Sequence, residues 1–182
     1  QDILKERASQ AFADGALQEG VIAKCAAFAA REHGDARRAL DLLRVAGELA
    51  EREGGSSVLL KHIDESNSKI ERDKMLDVIE NEPKQFQLVL QSIINLSEKK
   101  PSEVLFTGDI YNKYQEMCDS TKNEVLTQRR VSDIIAEFDM LGLINAQVVS
   151  KGRQGRTREI KLMIPKHILT RAKEILSSSL EI

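Results

Sequence analysis

Two groups of basic and polar residues in the last third of the sequence have the types and the spacing that hold phosphates. The first group opens a stretch of helical pattern and consists of Thr127, Gln128, Arg129, Arg130 and Ser132. The second is a cationic run with two glycines and consists of Lys151, Gly152, Arg153, Gly155, Arg156 and Arg158. Arginine and lysine bind backbone phosphates, and arginine and glutamine also read base edges in a major groove. These residues therefore predict binding to a nucleic acid, with the glycines permitting a close approach of the backbone.

The elements that position these residues follow from the hydrophobic pattern. Residues 127–141 form an amphipathic helix whose apolar face consists of Val131, Ile134, Ile135, Phe138 and Leu141. Gly142 follows, at a position where helices commonly end. Residues 144–149 and 158–164 alternate as strands do, and the cationic run lies at the tip between them. This order predicts a winged helix-turn-helix, whose helix enters a major groove and whose two-stranded wing reaches phosphates or the minor groove.

The whole chain reads as a mainly α protein with two domains. Residues 1–80 predict a small helical bundle, with helical patterns over residues 2–13, 16–33, 35–53 and 58–79. The last of these patterns is polar over residues 64–69, where we expect a break or an exposed stretch. Pro83 marks the linker between the domains. Residues 84–182 predict the winged helix, with further helices over residues 85–99 and 110–118 and a last one after Pro165.

Charge is distributed unevenly along the chain. The formal net charge is −2, with −4 from residues 1–80 and +2 from residues 81–182. Residues 145–161 carry five basic residues against one acidic residue, so the positive charge is concentrated on the predicted wing. A solvated basic loop on a winged helix that binds only protein is the other explanation of this pattern. From the residues alone, Arg129 and Arg130 fit contacts to either guanine edges or phosphates.

Two arginines occupy an unusual place in the first half of the chain. Arg37 and Arg38 fall in the first turn of the helix that Asp35 caps, where the helix dipole disfavours a cation by roughly 0.3–1 kcal/mol. A helix N-terminus with added arginines is a good place for a phosphate. An ion pair between Arg37 and Asp41, one turn further on, is the commoner explanation of such a residue. The residues themselves leave both readings open.

The run from Gly34 to Glu48 resembles the sensor-two motif of archaeal replication initiators, which are AAA+ proteins of the origin recognition complex and cell-division-cycle-six type. Residues 25–32 and 70–73 are similar to the same family, and so is the second half of the chain. Residues 82–85 read Glu-Pro-Lys-Gln, where the family often has Leu-Pro-x-His. This departure leaves the geometry of the linker open.

The resemblance implies a function for each half. It identifies residues 1–80 as an AAA+ lid, in which Arg37 contacts the nucleotide phosphates and senses ATP against ADP in the intact protein. It identifies residues 84–182 as a winged helix that binds double-stranded origin DNA. The partners that it implies are the replicative helicase and other initiator subunits.

The sequence argues against enzymatic activity of this chain. It has no Gly-x-x-x-x-Gly-Lys-Ser/Thr loop to hold a triphosphate with Mg²⁺, so we expect no ATP hydrolysis and no ATP or ADP bound to this chain itself. We find no catalytic triad and no metal-ligand cluster. His33, His62 and His167 are isolated, and we interpret them as cap or surface residues.

The cysteines and the hydrophobic runs indicate where the protein acts. Cys25 and Cys118 lie within helical patterns, which predicts buried, reduced thiols in a reducing compartment. No apolar run has the length of a membrane span. We expect a cytoplasmic, nucleoid-associated protein without a membrane partner. Because the chain opens at Gln1 with neither an initiator methionine nor a signal peptide, we also expect it to be a piece of a longer protein.

Two other functions remain open at this point. One is a winged-helix transcriptional regulator whose helical first half is a dimerisation domain. The other is a winged helix that contacts a protein, such as the helicase, and hardly touches DNA. A regulator should be a stable dimer that binds a palindrome, whereas an initiator fragment should be a monomer.

Overall fold

The computed structural model describes residues 2–31, 35–99, 103–150 and 156–182. Within these ranges the chain forms eight α-helices and one antiparallel sheet of three strands. In chain order the elements are α1 (Asp2–Ala11), α2 (Val21–Arg31), α3 (Ala36–Arg52), α4 (Leu60–Asn81), α5 (Lys84–Lys99), β1 (Leu105–Phe106), α6 (Thr107–Thr121), α7 (Gln128–Met140), β2 (Ile144–Ser150), β3 (Arg156–Leu162) and α8 (Lys166–Leu180). The chain divides into two compact units, one up to Lys74 and one from Met75 onward.

The first unit packs around α3. Asp35 caps this helix by accepting a hydrogen bond from the Arg37 amide at 2.8 Å, as its position in the sequence predicted. The buried face of α3 is rich in small side chains, which let the neighbouring helices approach closely; it consists of Ala39, Leu42, Leu43, Val45, Ala46 and Ala50. Phe12 follows α1 and packs at Gly47, where an added Cβ would lie only 3.0 Å from the Phe12 ring. The predicted helical bundle is confirmed.

The start of the second helix differs from the sequence-based prediction, and the polar stretch in α4 takes one of the two forms expected for it. The second helix begins at Val21 rather than at residue 16, because Gly20 takes a positive φ of 89° and the backbones of Ala16 and Gln18 hydrogen-bond to Val58 instead. Of the two outcomes expected for residues 64–69, a break is absent, since α4 continues through them. The other is found in part: Asp64, Glu65 and Ser68 are exposed, whereas Ser66 is buried. Asp64 pairs with Lys24 at 2.6 Å.

His62 is a buried capping residue rather than a surface one. Its Nδ1 accepts the Leu59 amide at 3.0 Å, and its Nε2 lies 3.2 Å from Glu53 Oε2. Glu53 also accepts Lys61 Nζ at 2.6 Å. The hydrogen bonds from Lys61 and then from His62 lower the pKa of the Glu53 carboxyl below its ordinary value. The histidine therefore closes the loop between α3 and α4.

The second unit contains the winged helix. α5 lies at its centre and is buried along most of its length, from Phe86 to Ile94. The buried core also takes in α6, α7, the sheet and α8, with Ile110, Phe138, Ile160 and Leu176 contributing from each of these elements in turn. Cys118 is buried here, as Cys25 is in the first unit, and both thiols are free. The prediction that both cysteines are buried is confirmed, and their reduced state remains a prediction.

The sheet has one strand more than the sequence predicted. β2 and β3 form the expected hairpin, with Ile144 opposite Leu162 and Ser150 opposite Arg156. β1 adds to the other edge of β3, with Leu105 opposite Ile160, so the strand order is β1-β3-β2. The wing is therefore attached to the rest of the domain through β3, the central strand of the sheet. The domain limits of 1–80 and 84–182 remain predictions.

Candidate nucleic-acid interface

The turn between α6 and α7 decides where the start of α7 lies. α6 ends at Thr121, and its C-cap Lys122 takes the left-handed conformation with φ 54°. The Asn123 amide donates to the Cys118 carbonyl at 2.9 Å and completes the cap. The chain then runs in an extended path to Thr127, whose hydroxyl caps α7 by accepting the Arg130 amide. α6, this turn and α7 form the helix-turn-helix.

Two tyrosines of α6 hold this turn in place through hydrogen bonds of their hydroxyl groups. Tyr111 Oη donates to the Leu126 carbonyl at 3.1 Å, and the Leu126 amide donates to Tyr114 Oη at 3.0 Å. Tyr114 Oη donates in turn to Gln85 Oε1, while Gln85 Nε2 donates to the Glu124 carbonyl at 2.9 Å. Burial raises the pKa of Tyr114, so the phenol keeps its proton. The sequence alone does not predict this network, because the spacing of two tyrosines along a helix does not reveal what their hydroxyls will bond.

Replacing Tyr114 by phenylalanine tests this arrangement. The change leaves the Leu126 amide and Gln85 Oε1 without their partner, so we expect the free energy of unfolding to fall by about 1–3 kcal/mol. Chemical denaturation followed by circular dichroism measures the loss. Tyr111→Phe removes a bond to only one carbonyl and serves as the matched control with a smaller effect. Equal stability of Tyr114→Phe and the unchanged chain would contradict the role given to Tyr114.

The first turn of α7 presents polar side chains to solvent. Thr127, Gln128, Arg129 and Arg130 are exposed, and Ser132 is half-buried. The opposite face is anchored in the core, as predicted, through Val131, Ile134, Ile135 and Phe138. Leu141, which was predicted to share that face, is instead 45% exposed, because α7 ends at Met140 and the chain turns there.

The two neighbouring arginines of α7 have different surroundings. The Arg130 guanidinium lies 5.6 Å from the centre of the Phe86 ring and 3.6 Å from Glu137 Oε1. It is thus directed back along the protein surface toward α5. Arg129, about 100° further round the helix, makes no ion pair within the part of the chain that the structure describes. Arg129 is therefore the one of the two whose charge is available to a ligand.

The wing residues fall into three groups. Lys151, Gly152, Arg153 and Gly155 lie outside the described residues. Arg156 is exposed at the start of β3, opposite Ser150. Arg158 is half-buried and donates from Nη1 to the Ser132 carbonyl of α7 at 2.7 Å. The base of the wing is thereby bonded to the helix that carries Arg129.

The first unit holds the other predicted contact residue. Arg37 is exposed in the first turn of α3, and no ion pair with Asp41 is present among the described residues. Asp41 instead lies 3.8 Å from Arg44. Arg38 points elsewhere, because its Nη2 donates to Asn67 Oδ1 of α4 at 2.9 Å. The adjacent arginines therefore differ in the same way as the pair on α7: one side chain is bonded to the protein, and the other makes no ion pair among the described residues.

Residues 2–31, 35–99, 103–150 and 156–182 contain no group of three or more histidine, cysteine or acidic side chains placed to hold a metal ion. Across the same ranges, no helix is both long and apolar enough to cross a membrane.

Comparison with known proteins identifies both halves of the chain. The family model described as the CDC6 C-terminal winged helix domain matches residues 77–172. The model described as the Cdc6 AAA+ ATPase-type lid domain matches residues 1–68. The chain belongs to the Cdc6/ORC1 family of replication initiators. The predicted family and the mainly α fold, with a lid followed by a winged helix, are confirmed.

Relatives in this family are similar over nearly the whole chain. An ORC1-type DNA replication protein of Pyrococcus abyssi is 56% identical over 90% of the chain, which covers 39% of that protein. ORC1-type DNA replication protein 1 of Methanosarcina acetivorans is 54% identical over 90% of the chain, or 40% of that protein. The chain thus spans about two fifths of the length of the curated Cdc6/ORC1 relatives it matches.

Solved structures of the family agree with the fold. The Aeropyrum pernix ORC1 protein, whose structure was solved in complex with DNA, matches with a TM-score of 0.83 and 46% identity. That match covers 97% of the chain and 45% of the Aeropyrum protein. Drosophila ORC bound to DNA matches with a TM-score of 0.51 at 19% identity, which shows a shared fold.

Proposed function

We propose that this chain binds double-stranded DNA at a replication origin through its winged helix. The observation that carries the proposal is the exposed, cationic N-terminus of α7 beside the base of a basic wing. The Aeropyrum ORC1 protein, which is similar over nearly the whole chain, was solved with DNA and supports it. α7 would enter the major groove by its first turn, and the wing would follow the backbone.

The contacts divide between the two elements. Thr127, Gln128, Arg129 and Ser132 belong to the part of α7 that faces the groove, with Arg129 reading a base edge or holding a phosphate. Arg130 must leave Glu137 before it can bind a phosphate, so its contribution is smaller. Arg156 and the tip residues Lys151 and Arg153 supply charge along the backbone, where Gly152 and Gly155 permit close approach.

The salt dependence of DNA affinity tests this function. If about four cations meet phosphates, log affinity should fall with log salt at a slope of about −3 to −4. Fluorescence anisotropy with a labelled duplex from the origin of the chain's own organism measures the slope. An affinity that does not change with salt would leave the protein-only function as the better account. A stable dimer that prefers a palindrome would instead favour a transcriptional regulator.

For the first unit we propose the role of an ATP/ADP-sensing lid in the whole protein. Arg37 is exposed at the N-terminus of α3, and the N-terminal end of a helix favours an anion. A phosphate there is stabilised both by the backbone amides of the first turn and by the guanidinium. The nucleotide site would be completed by an AAA+ core. Together with other initiator subunits, the whole protein would then help recruit the replicative helicase.

Arg37→Ala tests the lid in a protein that also carries the AAA+ core. Loss of one charge-assisted contact should weaken ADP binding about tenfold, since hydrogen bonds to charged groups contribute roughly 1.5–3 kcal/mol. Titration with a fluorescent ADP analogue measures the change. Arg44→Ala, on the same helix but paired with Glu48 at 2.6 Å, is the matched control and should leave the affinity unchanged. Equal affinities of both variants would remove Arg37 from the site.

A further inference from the structure

We propose that Arg158 is a positioning residue, which fixes the angle between the wing and α7 instead of holding a phosphate itself. The proposal rests on the proposed DNA binding and changes the role of one residue in it. Its basis is the 2.7 Å hydrogen bond from Arg158 Nη1 to the Ser132 carbonyl. This bond joins the strand that carries the wing to the helix that enters the groove.

The place of Arg158 along β3 explains why it has this role. Arg156, Arg158 and Ile160 share one face of the strand, because side chains alternate between the two faces. Along this face the residues change from exposed Arg156 through half-buried Arg158 to Ile160, which is buried in the core. Arg158 therefore stands where the hairpin leaves the body of the domain. A hydrogen bond at that point therefore sets the direction in which the hairpin projects from the domain.

The chemistry of the bond suits a permanent tie. The Ser132 carbonyl lies within α7 and can accept both its helical amide and the guanidinium, since a carbonyl oxygen has two lone pairs. A bond from a charged donor that is partly shielded from water is stronger than a neutral one. A guanidinium engaged in this way has less freedom to turn toward a phosphate. Arg156, two residues or roughly 7 Å further out, has no such bond among the described residues and keeps its charge available.

The tie would act by preorganisation. If the wing and α7 already hold the angle that a duplex requires, binding does not have to order the hairpin, and no further conformational entropy is lost there. Without the tie the same cations still reach the same phosphates, but the wing must first be ordered. The number of phosphate contacts should then stay constant while the affinity falls.

Salt titrations of Arg158→Ala and of its matched control Arg156→Ala separate the two roles. Arg156→Ala removes a phosphate contact, so the slope of log affinity against log salt should become shallower by about one. Arg158→Ala should weaken binding about tenfold at every salt concentration, with the slope changed by less than about half a unit. A slope change of about one for Arg158→Ala, or an affinity equal to that of the unchanged chain, would overturn the proposal. Arg158→Gln, which keeps a polar side chain, gives the same readout should the alanine variant be unstable.

A measurement without DNA keeps this inference distinct from the proposed function. In the free protein, Arg158→Ala should shift the amide resonances of Ser132 and Asp133 and those of β2, whereas Arg156→Ala should leave Ser132 and Asp133 unchanged. Unshifted resonances at Ser132 and Asp133 in Arg158→Ala would show that the tie does not exist in solution and would refute the inference. If the tie is present but the unchanged chain has no affinity for duplex DNA, the proposed function fails and the positioning role fails with it.

Discussion

A chain with Arg129→Ala and Arg156→Ala should bind origin duplex about a hundredfold more weakly than the unchanged chain at moderate salt. Both arginines are exposed, and neither makes an ion pair among the described residues. Their removal therefore takes charge from the proposed interface without leaving a buried partner unpaired. Two contacts of about 1–2 kcal/mol each account for the size of the effect. Fluorescence anisotropy with the same labelled duplex measures it.

The control for this pair is an arginine outside the proposed interface. Arg171 lies on α8, which packs against α5, and pairs with Glu174 at 2.8 Å. Arg171→Ala removes one positive charge and should change the DNA affinity by less than about threefold. A similar loss in Arg171→Ala and in the double variant would mean that net charge, rather than the place of the charge, governs binding.

Replacing Phe138 by alanine should lower the free energy of unfolding by about 3–5 kcal/mol. Phe138 is fully buried on the inner face of α7 and meets Phe86 of α5 edge to face, with ring centroids 6.0 Å apart and an interplanar angle of 84°. Such a geometry stabilises beyond the area that the rings bury. Loss of the Phe138 ring also removes a packing partner of Phe86, the ring over which the Arg130 guanidinium lies. Denaturant unfolding measures the change.

Met140 on the same helix offers the contrast. Its side chain is 80% exposed, so Met140→Ala should change the stability by less than about 0.5 kcal/mol. We expect Phe138→Ala to unfold at a lower denaturant concentration than the unchanged chain, whereas Met140→Ala should unfold at the same concentration. A loss below about 1 kcal/mol for Phe138→Ala would show that this ring does not anchor α7.

The sequence predicted the parts of this fold that depend on repeated patterns. The inner face of α7 follows from one apolar residue at every third or fourth position, and the hairpin follows from alternation on either side of a glycine-containing tip. β1 could not be found in this way. It has only two residues, Leu105 and Phe106, and it exists because β3 offers a free edge some fifty positions later in the chain. No local pattern encodes such a pairing.

The sequence proposes the residues of the candidate site but does not indicate the contacts that each of them makes. Arg158 belongs to a basic run, and its residue type alone suggests a phosphate contact as readily for it as for Arg156. Only the fold brings the Ser132 carbonyl within 2.7 Å of its guanidinium. Arg129 and Arg130 are alike in sequence, yet only Arg130 meets Glu137 and Phe86. The residue types indicate a surface that can bind phosphates. The tertiary contacts decide which of its arginines are free of bonds to the protein among the described residues and so can bind one.

The most direct test of the account asks where the first turn of α7 lies on DNA. A cysteine at position 128, introduced as Gln128→Cys, can carry an iron chelate that cuts nearby DNA. The native thiols should not compete, since both are buried and burial raises the pKa of Cys25 to about 11 and that of Cys118 above its ordinary value. The account predicts cuts confined to about one helical turn of origin duplex, and none from the same chelate at Arg171→Cys. Absence of cutting from position 128, or equal cutting from both positions, would contradict it.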